Sequence, residues 1–168
     1  MNARKSLKLL HTLSAFGFTG GIIAYMLLAE YGPAPAPSRE FADVRAAIYF
    51  TTRWIVTPSM LIVAVSGLLA MAVHHPFQNA LWVWLKALSG LLIFEATLAS
   101  VDGPARRAAK AAADAVNGDI TAAALERAVI DHWGALWVLL ILAVANVVLG
   151  IWRPRFRRGR PAAGNMND

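Results

Sequence analysis

The stretch WGALWVLLILAVANVVLGIW, residues 133–152, carries no ionisable side chain from end to end. At 1.5 Å per residue a helix of this length covers about 30 Å, the thickness of a bilayer's hydrocarbon core. Lipid offers the backbone no hydrogen-bond partners, so such a stretch crosses as a helix. Three further apolar runs of similar length precede it, at 7–29, 48–73 and 79–101. Trp54, Trp82, Trp84, Trp133, Trp137 and Trp152 all fall in the first or last turns of these runs, where indole rings favour the membrane interface. The whole chain is 58% hydrophobic and only 15% charged, against about 25% charged in a soluble domain. These observations predict an all-α, integral membrane four-helix bundle of up-down topology, occupying residues 1–152.

The connections differ in kind. Residues 30–47 contain Gly32-Pro33-Ala34-Pro35-Ala36-Pro37, a stiff extended spacer. Residues 74–78 form a tight turn around Pro76. Residues 102–131 are alanine-rich with scattered charges and read as an extramembrane helical loop, broken at Asn117-Gly118. A basic tail, 153–168, follows the last span. The first run follows Arg4, Lys5 and Lys8 as a signal peptide would. Its apolar core is long for one, and no small-residue cleavage site follows Leu28, so it is read as a retained span.

Four spans place both termini on one side, with Arg4, Lys5, Lys8 and five arginines of the tail. The positive-inside rule then favours cytoplasmic termini in a bacterial inner membrane. The tail is read as this topology signal, and no nucleic-acid partner is expected. The absence of cysteine excludes disulfide, thiolate and iron–sulfur chemistry. No glycine-rich phosphate loop, HExxH or G-x-S-x-G motif occurs.

Ionisable side chains inside apolar runs are costly, by roughly 3 kcal/mol each on insertion scales, and default to functional candidates. Here they are His11, Arg53, Lys86 and Glu95. Helical spacing puts Ser14, Gly17, Gly21 and Ala24 on one ridge of the first helix, with His11 at its edge. On the second helix, Arg53, Thr57, Met60, Ala64, Gly67, Met71 and His74 form one seam, which selects His74 over His75 as the inward histidine. Pro58 is read as lying in the first turns of that helix, where proline is tolerated. By depth, His11, His74 and Lys86 converge toward the termini side, whereas Arg53 and Glu95 lie toward the other and are read as a structural ion pair. His11 has three readings: an axial heme ligand, a proton carrier or a hydrogen-bonded packing residue. Lys86 either snorkels to the interface or acts as a buried cation beside a propionate or in proton transfer.

Leu7-Lys8-Leu9-Leu10-His11 with Gly20-Gly21, and Trp82-Val83-Trp84-Leu85-Lys86, carry a resemblance. The chain resembles a small four-helix membrane superfamily that contains HemJ-type protoporphyrinogen oxidases, CopD-like domains and uncharacterised integral membrane proteins. The resemblance implies heme b as cofactor, with His11 and Lys86 as the functional residues. Arg53-Trp54 and Pro58 bring the chain nearer the uncharacterised members. The preferred expectation is a membrane protein that binds b-type heme or a porphyrin near the termini side. His11 would be the metal ligand and His74 a possible second one, with Lys86 catalytic or cofactor-binding and a quinone as electron partner. The alternative is a non-enzymatic accessory or assembly subunit that packs against a larger membrane complex or a second copy of itself.

Overall fold

A computed structural model describes residues 3–73, 81–130 and 133–152, and within them all side chains except 3–4, 70–73, 81–83, 85–86 and 149–152. The described residues are all helical or connecting, with no sheet. In chain order the helices are α1 (Ala3–Tyr31), α2 (Arg39–Thr51), α3 (Thr57–Val73), α4 (Leu81–Thr97), α5 (Gly103–Asn117), α6 (Ala122–Ala128) and α7 (Trp133–Trp152). A π-helical turn, Thr52–Val56, joins α2 to α3, and a second, Leu98–Asp102, joins α4 to α5. The second and third helices of the bundle are thus long and continuous, reaching well beyond the apolar runs. Residues 5–31, 39–69 and 122–148 are each long and apolar enough to cross a membrane.

The protein is an all-α membrane four-helix bundle. α1 packs on α3, α3 on α4, α4 on α7, and α7 back on α1, closing a square. Its core is built from Phe18, Ile22 and Tyr25 of α1, Val56 and Met60 of the second helix, Ile93 of α4, and Leu136 and Leu139 of α7. Leucines such as Leu9, Leu13, Leu61, Leu91 and Leu92 point outward, as suits lipid contact.

Each π-turn sits just before a proline. Pro58 and Pro104 have no N–H to give the carbonyl four residues back, and their rings crowd it. A wider turn relieves that crowding, and its bonds are visible as Thr57 N–H to Thr52 O and Gly103 N–H to Leu98 O. Thr52 and Thr97, both fully buried, donate their hydroxyls to Ile48 O (2.9 Å) and Ile93 O (2.6 Å) at the start of each turn. Pro58 therefore lies in the interior of a helix that begins at Arg39, not in its first turns, and the π-turn is what accommodates it.

Beyond the π-turns the polar ends of the two long helices form a cap. Ser38 starts α2, its hydroxyl accepting from Phe41 N–H at 3.3 Å. α5 ends at Asn117, where Gly118 takes a left-handed φ of 82° and its N–H bonds Ala115 O. Thr121 caps α6. Phe41, Ala111, Ala112, Ala115 and Leu125 make a second small core among α2, α5 and α6. On the outer face of α5, Asp114 accepts from Lys110 Nζ at 2.7 Å, and that hydrogen bond raises the lysine's pKa.

Candidate functional site

α1 and the second long helix run antiparallel in tight register. A Cβ on Gly21 would stand 2.6 Å from Val56 Cγ2, and one on Gly17 would stand 2.6 Å from Ser59 Oγ. Continuing along the same register, His11 meets Ser66. Small residues on α1 let the backbones approach, and that approach brings the imidazole within reach of the hydroxyl.

His11 Nδ1 lies 2.8 Å from Ser66 Oγ, and Ser66 Oγ lies 3.1 Å from Val63 O. A hydroxyl has a single hydrogen. Donated to Val63 O, it leaves Ser66 an acceptor toward His11, and in that arrangement Nδ1 carries the ring proton; donated to Nδ1, it reverses the two roles. Ser66 is 2% exposed, whereas His11 is half-buried. A Cβ on Gly67 would come within 3.8 Å of His11 Cε1, so the ring rests against α3 where the helix has no side chain. Donation of one ring N–H to a fixed acceptor is the arrangement that orients a histidine for ligation through the other nitrogen. As chemistry it fits one axial ligand of a b-type heme; equally it serves a histidine that takes up a proton at Nε2.

Lys86 belongs to α4, and its side chain lies outside the described residues, as does all of His74. The two π-turns touch, which sets the backbone depth of Lys86. Ser66 is ten residues past Val56 and Lys86 twelve before Leu98, so both backbones lie roughly 15–18 Å from that level. The Lys86 backbone is therefore at the depth of the His11–Ser66 pair.

Arg53 and Glu95 are both exposed, on outward faces of their helices, and form no ion pair with each other. The inward positions of the second helix are Thr52, Val56 and Met60. The first π-turn holds an extra residue, so the seam runs through Thr52 and turns Arg53 away from it.

The structure also buries polar groups that sequence spacing did not single out. Arg45, within the 30–47 stretch that reads as a connection, is 6% exposed on α2, with its guanidinium carbon 5.2 Å from the Phe41 ring centroid. Tyr25 is 3% exposed. Thr57 Oγ1 and Asp102 Oδ1 are buried without a hydrogen-bond partner. A signal for Arg45 was present: Phe41, Arg45, Ile48 and Thr52 recur at three- and four-residue spacing ahead of the apolar run. Among the described residues no group of three or more His, Cys, Asp or Glu side chains is placed to hold a metal ion. No known protein-family pattern, curated protein or solved structure matches the chain.

Proposed function

We propose that this membrane-embedded four-helix protein holds a b-type heme or related porphyrin through His11, near the membrane face that carries the termini. The observation that supports the reading is the Val63–Ser66–His11 chain, in which a buried hydroxyl holds the imidazole at Nδ1. Lys86, at the same backbone depth on α4, is assigned to a propionate or to proton transfer; His74 is the candidate second ligand. Bound heme would supply one-electron chemistry, with a membrane quinone as the matching partner. By the positive-inside rule that face is the cytoplasmic side of a bacterial inner membrane.

The test is the visible spectrum of the detergent-purified protein. A Soret band is expected, abolished by His11→Ala and accompanied in Ser66→Ala by a roughly 10- to 100-fold weaker affinity for added hemin. A folded, colourless protein that does not take up hemin would falsify the reading. Oxidation of protoporphyrinogen, lost in Lys86→Ala, would mark an enzyme rather than a carrier.

A second reading rests on Arg53 and Glu95. Charges on outward faces of apolar helices are costly in lipid, and a neighbouring membrane protein or a second copy would supply their partners. An accessory or assembly role follows. It predicts that Glu95→Gln shifts the protein to a smaller species in light scattering from micelles; an unchanged monomer in both forms excludes self-association.

A further inference from the structure

Where the apolar faces end, on the side of the bundle away from the termini, Arg107 of α5 and Arg127 of α6 line one cavity of about 370 Å³ with Pro104, Ala128 and Ile130. From this we infer a binding site for a phosphate group at membrane headgroup level, separate from the His11 region. Three features carry it.

The first is charge. Among the described residues neither guanidinium has a carboxylate partner and no carboxylate lines the cavity. Two guanidiniums from different helices line this one cavity, and planar guanidinium forks match phosphate oxygens in pairs. The next acid in the chain, Asp131, lies outside the described residues.

The second is the placement of the two exposed side chains. Arg127 Nε–H donates to Ala123 O at 3.1 Å, which steers the end of the fork. A Cβ on Gly103 would stand 3.4 Å from Arg107 Nη1, so this guanidinium lies back along the start of α5.

The third is depth. Pro104 follows the π-turn at which α4's outward leucines give way to the charged surface of α5. On the other wall Ile130, 61% exposed, precedes Trp133 and the apolar α7. The cavity thus joins two exposed arginines to Pro104, Ala128 and Ile130 beside an entering helix. A pair of guanidiniums beside an entering membrane helix matches the phosphate of a phospholipid headgroup. A lipid phosphodiester and free phosphate share the recognised chemistry.

The experiment measures the melting temperature of the full chain in micelles of neutral detergent, titrated with phosphatidylglycerol, phosphatidylcholine or inorganic phosphate. At a hundredfold excess over the dissociation constant, phosphatidylglycerol should raise it by roughly 5–10 °C. That shift should vanish in Arg107→Gln/Arg127→Gln and persist in Arg106→Gln, whose side chain does not line the cavity. An equal shift with inorganic phosphate, lost in the same double variant, identifies free phosphate as the ligand. No anion-dependent shift in the wild-type protein overturns the proposal without reliance on any variant. A shift that survives the double variant, or that Arg106→Gln removes as well, also overturns it, because binding is then diffuse attraction to positive charge.

Discussion

Gly20 and Gly21 are neighbours in sequence and opposites in consequence. Nothing lies within 4 Å of a Cβ built on Gly20, whereas one on Gly21 meets Val56 Cγ2 at 2.6 Å. Val56 is fully buried and its β-branched side chain has little rotamer freedom, so α1 must move away to admit a methyl group. Gly21→Ala should destabilise by about 1–3 kcal/mol in denaturant unfolding from mixed micelles. Gly20→Ala should lose nothing and gain up to about 1 kcal/mol from helix propensity. Equal effects would mean that the α1–α3 register is different. The Gly20-Gly21 pair was visible in the sequence, but which of the two faces a helix was not. The same holds for His11: its membrane depth could be counted along the chain, while Ser66 as its partner depends on how two helices are phased.

At the scale of elements, the two prolines decide more than the apolar runs suggest. Pro58 and Pro104 each follow a π-turn, and both turns lie at one level of the bundle. Inserting an alanine after Ile55 adds a residue that the wide turn does not absorb, and should rotate α2 by about 100° relative to α3. Phe41 and Arg45 would then leave α5, and amide protection across Ala105–Asn117 should fall in hydrogen exchange while that of Phe18–Met26 persists. Unchanged protection in the cap would count against the turn as the device that sets α2's phase. At the far end of α5, Gly118 is left-handed with φ 82°. Gly118→Ala should cost about 1–2 kcal/mol, read from the same unfolding assay, because a Cβ is poorly tolerated in that conformation. The Asn117-Gly118 break was legible from residue type alone, since glycine is favoured just past a helix end. The π-turns were not, because a proline in a helical stretch indicates a disturbance without stating whether the helix ends, kinks or widens.

Across the whole molecule, the bundle and the cap are two packed layers on one pair of long helices. The apolar part is held by small-residue approach and by Phe18, Ile22, Val56 and Ile93; the cap is held by an alanine-lined seam around Phe41 and Leu125. With no native cysteine, single-cysteine variants report the topology directly. Ser6→Cys and Asn117→Cys should react with a membrane-impermeant maleimide from opposite sides of oriented vesicles. Labelling from the same side would contradict the up-down path.

The sequence by itself determined that the chain enters a membrane as four helices, where charges interrupt them, and that residues after Asp102 return to helix with a stop at Gly118. Hydropathy, chain length and turn chemistry are local sums, so they can be read without knowing any neighbour. Only the tertiary structure decided that α2 extends the second helix back to Arg39, that Arg45 is buried while Arg53 and Glu95 face outward, and that Ser66 holds His11. Those outcomes depend on rotation about helix axes. A single extra residue in a π-turn shifts that rotation, and whether the turn forms is settled by which side chains the neighbouring helices can admit.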